Sequence, residues 1–379
     1  MKLEINNFSS NLNFYERYGQ ALNNCAHYFI RPIDYSVEQC TQVFAKASTS
    51  KVHKISTALF HTLLLPCTYP LYTLGVVIDQ LGDFLKTRPY NYLSGASLEK
   101  RPMEKTPFSL LSANVCMLPY GIWTWAGIRP PHERIDALAK KIIDASCDFV
   151  CLQEMAPAQA NLLWDKIRKD YAHGFARIGP MPVNRMNGGL FFASKYPIEK
   201  TLYHPLPNTG PIARGIFCVK TPIGWILLGH LKAGSSDSDI LLRREQVASI
   251  RKLCEKLSQN GTIPCLVAMD ANIQRTGGTQ DEYVLSEIPE HFYNSLQSKK
   301  SFTLTEETAT CTNMLGLQLQ GKEPQKEEDA YEHIDYILSY KPSSESLSLK
   351  TELVATYSLL DKCPLSDHKI LLCNGFYLP

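Results

Sequence analysis

The chain has almost no net charge: 39 Lys and Arg against 37 Asp and Glu leave a formal +2 over 379 residues. No global basic field therefore favours a polyanion such as nucleic acid. Its 12 cysteines include no C-x-x-C pair and no dense spacing, which argues against a disulfide framework or a structural zinc site. Cys116, Cys151, Cys218, Cys265 and Cys373 instead fall inside apolar strand-like runs and read as small core residues. Thiols used this way point to a reducing, cytosol-like compartment for the catalytic part. The first residues, Met1-Lys2-Leu3-Glu4-Ile5-Asn6-Asn7, lack the apolar stretch of a secretory signal, though a bacterial route needing none stays open. There is no internal repeat and no low-complexity tract. What is present is ordinary for a globular protein, 44% hydrophobic and 20% charged residues, enough to bury one large core or two smaller ones.

Residues 1–104 and 105–379 differ in kind. The first region leads into Thr57–Ile78, 22 residues without a formally charged side chain. As a helix at about 1.5 Å per residue, such a stretch just reaches across a bilayer core of roughly 30 Å. Pro66 and Pro70 are expected to interrupt it, His61 and the threonines dilute it, and Lys51, Lys54, Lys86 and Arg88 flank it on both sides. The expectation is a membrane-associating helical region that re-enters or lies at the interface, with a buried helical hairpin as the alternative.

After residue 105 strands alternate with helices. Phe108–Met117, Asp148–Gln153, Gly188–Ala193, Gly215–Lys220, Trp225–His230, Ile263–Met269, His333–Leu338, Leu353–Tyr357 and Ile370–Cys373 read as strands. His132–Ala145 places Ile135, Leu138, Ala139, Ile142 and Ile143 on one helical face, and Pro157–Lys169 is a second helix. Asp237–Ser258 turns Ile240, Val247, Ile250, Cys254 and Leu257 inward, and Gln318–Glu332 reads as a solvent loop. Strands outnumber helices, and some links are of hairpin length. The expected class is α/β: a four-layer sandwich of two stacked mixed sheets flanked by helices, preceded by the apolar helical segment.

The polar clusters sit at the ends of these apolar runs, where a sheet can gather them at one edge. Glu154, ending one strand, suits Mg²⁺, a hard cation that prefers oxygen ligands, and Asn114 offers an amide oxygen nearby. Asp270 can relay a proton, and Asn272 can donate to a phosphate oxygen without adding charge. His230 and His368 are candidate proton-transfer groups, and Asp335 is placed to fix the tautomer of His368. Arg214 offers charge to a substrate phosphate, with Gly215 and Asn187-Gly188-Gly189 as positioning loops. Asp367, next to His368, joins the metal candidates. Each has a bland counterpart: a surface carboxylate, an Asx turn, a structural histidine, a loop residue.

In their order along the chain, Asn114, Gln153-Glu154, His230-Leu231, Asp270-Ala271-Asn272, Asp335 and Ser366-Asp367-His368 resemble the endonuclease/exonuclease/phosphatase (DNase I-like) superfamily. Ser112 to Pro119, Asp148 to Glu154, Gly189 to Ile198 and His333 to Leu338 look most like the membrane-bound neutral sphingomyelinases of animals, a likeness spanning roughly residues 56–379. The resemblance implies a DNase I-like four-layer sandwich with Mg²⁺ at Glu154, hydrolysing sphingomyelin to ceramide and phosphocholine at a membrane surface. By position, His368 is then the base, Asp335 its support, and Asp270, Asn272 and His230 handle phosphate and leaving group. The chain departs from that pattern at Met269, where the family usually has Gly, and at Arg214, where those enzymes carry Lys. Cys67 stands without a paired cysteine, and the first of two apolar segments is faint, around Ala21–Ile30. A nuclease or phosphoinositide phosphatase on the same fold is the second reading, and a catalytically silent membrane-binding scaffold the third. The charge balance speaks against DNA, and no Trp-Cys-Asp-Arg-type segment of inositol 5-phosphatases is present.

Overall fold

The computed structural model describes residues 6–96, 107–182, 186–210, 212–274, 282–296, 308–314, 317, 331–343, 347–356 and 365–377. In chain order its first strands are β1 (Asn6–Asn7), β2 (Asn91–Ser94), β3 (Phe108–Met117), β4 (Phe149–Met155), β5 (His173–Ala176), β6 (Phe191–Ser194), β7 (Lys200–Pro205) and β8 (Gly215–Thr221). Then follow β9 (Gly224–His230), β10 (Cys265–Asp270), β11 (Phe292–Asn294), β12 (Cys311–Thr312), β13 (Tyr331–Glu332), β14 (Asp335–Tyr340), β15 (Leu347–Val354) and β16 (Ile370–Tyr377). The long helices are α1 (Phe14–Ala45), α2 (Lys51–Leu85), α3 (Pro131–Ala145), α4 (Pro157–Ile167) and α5 (Asp237–Leu257).

Among the described residues the strands form two seven-stranded mixed sheets, ordered β1-β7-β8-β9-β10-β14-β11 and β15-β16-β3-β4-β6-β5-β2, with β12 and β13 paired separately. Side-chain alternation along each strand builds the layers. Leu110, Phe149, Phe192, Phe217, Ile226, Leu228, Leu266 and Ala268 point between the sheets. Their neighbours Leu111, Val150 and Phe191 face α3 and α4, while Leu227 and Val267 face α5. Each fully buried Phe or Leu here contributes roughly 1.5–3 kcal/mol relative to exposure. The result is the four-layer sandwich expected from the sequence.

Several details differ from the sequence reading. Ile143 is 39% exposed, and Ile240 is only half-buried, because each sits at the rim of its helix's apolar stripe. The strand expected from Gly188 begins at Phe191, and that expected from His333 begins at Asp335. The strand expected over Leu353–Tyr357 meets only the tail of β15, which ends at Val354; Tyr357 lies outside the described residues, and so do residues 318–330 of the expected loop. β2, β5, β7 and β11 went unread because each is short and carries little alternation.

The N-terminal region is a helical hairpin. Asn13 Oδ1 accepts the Glu16 N–H at 2.9 Å and Ser50 Oγ the His53 N–H at 3.2 Å, capping α1 and α2. Contrary to expectation, α2 runs unbroken through Pro66 and Pro70. A proline's missing N–H and ring clash cost stability locally without ending a helix that is held elsewhere. The buried-hairpin alternative also fails, since little of the apolar stretch is covered: Leu59, Phe60, Leu63, Tyr69 and Val77 are all exposed. Among the described residues, α2 is the one helix long and apolar enough to cross a membrane. The region is tied into the sandwich, because β1 pairs with β7 and β2 with β5.

Candidate active site

Topology explains why distant residues meet. β3 is parallel to β4, and β9 to β10, so Asn114, Glu154, His230 and Asp270 all lie toward the C-terminal ends of neighbouring strands. β14 and β16 run antiparallel to β10 and β3, so the residues at their beginnings, Asp335 and His368, reach the same edge. In register, Asp270 stands opposite His230 on one side and Asp335 on the other.

The backbone breaks sharply at this edge. Cys116, Glu154 and Asn272 have φ of +46°, +57° and +51°, a left-handed conformation unusual for residues with a side chain. Such positions cost on the order of 1–3 kcal/mol each and persist where the surroundings dictate them. Gly189 makes the bend at Glu154 feasible, because a Cβ there would lie 2.7 Å from the Glu154 Cα. Its carbonyl instead accepts the Met155 N–H at 2.7 Å. Since β10 stops at Asp270, strand alternation does not carry Asn272 to the same face. The Asn272 N–H donates back to Asp270 Oδ1 at 3.0 Å, an Asx turn.

Two groups of side chains result. In the first, Glu154, His230 and Asp270 bring one ligand atom each within 4.8 Å of one another. His230 Nε2 lies 3.7 Å from both Glu154 Oε1 and Asp270 Oδ2. Its Nδ1 meets the Gly188 carbonyl at 3.3 Å, which assigns the proton to Nδ1 and leaves a lone pair on Nε2. Asn114 Nδ2 donates to Asp270 Oδ2 at 2.8 Å, while its Oδ1 accepts the Cys116 N–H at 2.9 Å. In the second group, His368 Nδ1 donates to Asp335 Oδ2 at 2.9 Å, and Nε2 lies 3.5 Å from Cys311 Sγ. The Asp335 backbone N–H is held by Thr310 Oγ1 at 3.1 Å, and Ser366 Oγ donates to the Asn114 carbonyl at 2.8 Å, tying the two groups together.

Electrostatics separate the roles. Burial, then the Asp367 and Asp270 carboxylates, push Glu154 up to about 7 against the opposing pull of His368. Burial and the Arg214 charge lower His230 to about 4, so it is neutral at physiological pH. Burial also opposes charge on His368, but Asp335, Cys311 and Asp367 outweigh it and hold the imidazole well above its ordinary range.

The remaining candidates are more backbone-bound than the sequence suggested. Arg214 Nη1 donates to the His230 and Leu231 carbonyls at 3.1 and 2.6 Å. Asn187 commits both ends of its amide, accepting the Gly189 N–H at 3.0 Å and donating to the Ile178 carbonyl at 3.2 Å. Met269 packs in the outer core beneath α5, away from the edge. Arg134 went unread: fully buried, it donates to the carbonyls of Val115, Cys116, Arg129 and Leu365, bracing the strand that carries Asn114. Its spacing to Leu138 and Ile142 on the apolar face was the available signal. Cys311 and Thr310 had none, since nothing local marks them.

The oxygens of Glu154 and Asp270 and the Nε2 lone pair are three acceptors converging on one point, with the Asn114 amide donating to Asp270 at its side. A divalent cation satisfies that arrangement, and the oxygen-dominated set suits a hard one. The residues present therefore fit the metal that the fold implies.

Residues 111–229 match the model of the Endonuclease/Exonuclease/phosphatase family. Sphingomyelin phosphodiesterase 3 of Rattus norvegicus is 31% identical over 137 residues, covering 30% of this chain and 20% of that protein. The Homo sapiens protein of the same name is also 31% identical over 137 residues. The chain thus spans about 20% of the length of the curated relatives it matches. Among solved structures, a beta toxin of Staphylococcus aureus with bound magnesium ions superposes with a TM-score of 0.54 at 17% identity, covering 72% of this chain and 100% of that one. Sphingomyelinase C of Streptomyces griseocarneus superposes with a TM-score of 0.53 at 16% identity, covering 71% and 99%. The fold is that of the DNase I-like endonuclease/exonuclease/phosphatase group. Within that group, the resemblance to sphingomyelinases read from the motifs is borne out by the similar proteins.

Proposed function

We propose that this chain is a Mg²⁺-dependent phosphodiesterase that hydrolyses a membrane phospholipid, sphingomyelin foremost, to ceramide and phosphocholine. The observation that supports it most is the pairing, on one sheet edge, of converging acceptors at Glu154, Asp270 and His230 with an Asp335-oriented His368. Similarity to sphingomyelinases in sequence and fold supports the choice of substrate.

In this reading Glu154 holds the cation, with Asp270 and Asp367 as neighbouring oxygen donors. Asn114, expected from the sequence as a ligand, has its Oδ1 on the Cys116 N–H and steadies Asp270 through Nδ2. When bound, the ion neutralises phosphate charge and stabilises the charge that develops during displacement. Asp335 accepts a hydrogen bond from His368 Nδ1, so the imidazole, once it has lost its Nε2 proton above its raised pKa, presents a lone pair there. That nitrogen takes a proton from the attacking water as the water oxygen bonds to phosphorus. The bond between phosphorus and the ceramide oxygen breaks, and a solvent water protonates the departing ceramide oxygen. The Asp335 carboxylate steadies the imidazolium that forms. Asn272 Nδ2, held to the Leu231 carbonyl only at 3.4 Å, is available to donate to a phosphate oxygen. His230, neutral, contributes hydrogen bonding, and Arg214 contributes charge from behind it. The exposed apolar face of α2 holds the enzyme at the bilayer of its substrate, which raises effective concentration.

Purified full-length protein, assayed on sphingomyelin, phosphatidylcholine, phosphoinositides and DNA with Mg²⁺ and with excess chelator, tests this. Chelator-sensitive phosphocholine release from sphingomyelin is expected. Equal turnover with and without metal would remove the cation from the mechanism, and cleavage of DNA without lipid would replace the substrate class.

A further inference from the structure

Beside the acceptors at Glu154 lies a different donor set, Cys311, Asp367 and His368, whose ligand atoms all lie within 4.8 Å of one another. We propose that this is a second metal site, selective for Zn²⁺, whose occupation captures His368 and shuts the enzyme off. Three observations carry it. Cys311 Sγ and His368 Nε2 are 3.5 Å apart. Bond lengths of about 2.3 Å for Zn–S and 2.0–2.1 Å for Zn–N at a tetrahedral angle require roughly 3.6 Å between the two donors. The spacing therefore matches that of two ligands on one ion.

The outer shell is also that of a zinc histidine. His368 Nδ1 donates to the buried Asp335 carboxylate at 2.9 Å, which fixes the tautomer and aims the Nε2 lone pair at Cys311. Finally, the backbone pins the donors together. Cys311 and His368 form a bridge between strands, the Thr312 N–H donates to the Asp367 carbonyl at 2.9 Å, and the Lys369 N–H to the Thr310 carbonyl at 2.7 Å. Asp367, partly exposed, supplies the third ligand and water the fourth.

Sulfur is what separates this site from the one at Glu154. Thiolate selects soft or borderline ions, while Mg²⁺ takes oxygen. On binding, the Cys311 Sγ–H bond loses its proton to solvent as the Sγ–Zn bond forms, and no redox step is involved. With Nε2 bound to zinc, no lone pair remains to accept a proton from water. The inhibition rests on His368 being the base proposed above, but the binding does not.

The test uses the full chain in detergent, wild type beside Cys311→Ser and Cys311→Ala. Each is titrated with Co²⁺ to follow the thiolate-to-cobalt charge-transfer absorbance, then with Zn²⁺ to displace it. The wild type is expected to show one cobalt–thiolate chromophore that Zn²⁺ abolishes, and both variants to lose it and bind Zn²⁺ more than about tenfold more weakly. In turnover assays at fixed Mg²⁺, the ratio of rates with and without Zn²⁺ should be far below one for wild type and near one for the variants. Absence of the chromophore in wild type, or its persistence in both folded variants, overturns the site. A chromophore that depends on Cys311 while Zn²⁺ leaves turnover unchanged overturns the inhibitory role and with it His368 as the base.

Discussion

Two buried clusters of charge in this protein use the same residue types and end differently. At the base of the helical hairpin, Arg177 Nη2 donates to Asp79 Oδ2 at 2.9 Å and to Asp83 Oδ2 at 2.7 Å. Lys86 pairs with Asp83 at 3.0 Å and donates to Asn91 Oδ1 at 2.8 Å, and Asn23 Nδ2 donates to the Asp79 carbonyl at 2.8 Å. Two acids meet two bases, so charge balances within the cluster. At the sheet edge, Glu154, Asp270, Asp335 and Asp367 gather around two histidines, and the nearby guanidinium of Arg214 is turned onto backbone carbonyls. Like-charged acceptors face one another there. A complete cluster is a structural joint, whereas an incomplete one is a binding site for the charge it lacks.

That contrast is sharpened first at the edge. His368→Ala and Glu154→Gln should each cut turnover on sphingomyelin by about 10²–10⁴-fold while leaving the fold intact. Near-normal activity in either folded variant would break the assignment. At the joint the reverse is expected. Arg177→Met removes the guanidinium from Asp79 and leaves Asp83 with Lys86 alone, and breaking such a buried pair costs about 3–5 kcal/mol. Denaturant unfolding should register that loss, and a variant as stable as wild type would show the cluster to be dispensable.

The incomplete cluster also predicts how stability follows pH. Glu154 is raised from its ordinary value to about 7. A carboxyl raised in the folded state contributes stability that is fully present below its unfolded pKa and is lost as pH rises through about 7. Metal-free protein should therefore weaken over that window, and Mg²⁺ should raise the melting temperature more at pH 8 than at pH 5.5. A Mg²⁺ effect independent of pH would separate the ion from Glu154.

Asp335→Asn tests the dyad more finely. His368 is held above its ordinary range chiefly by Asp335, against burial. Without that carboxylate its pKa falls, so the acidic limb of the turnover profile should move to lower pH, with a plateau loss smaller than that of His368→Ala. An unmoved limb would mean that another group sets it. The smallest effect is expected on α2, where Leu59→Glu with Leu63→Glu should weaken binding to sphingomyelin vesicles by about tenfold or more and leave hydrolysis of detergent-dispersed lipid little changed.

Much of this was legible in one dimension. Strands such as Phe149–Met155 and Gly224–His230 announce themselves by dense apolar runs, and polar residues at their ends mark an edge. The length and apolarity of α2 are likewise properties of composition. What the sequence determined by itself is therefore local: periodicity, apolar segments, and which chemical groups are available, because these depend on neighbours a few residues apart. Only the tertiary structure decided the rest. Asp335 reaches His368 across 33 residues, Asn114 reaches Asp270 across 156, and Arg134 reaches Leu365 across 231. Whether α2 is covered, whether Arg214 faces substrate or backbone, and that Cys311 stands beside His368 are likewise matters of strand order and register. Such contacts arise from pairings between distant segments, and a residue's nearest neighbours in sequence carry no record of them.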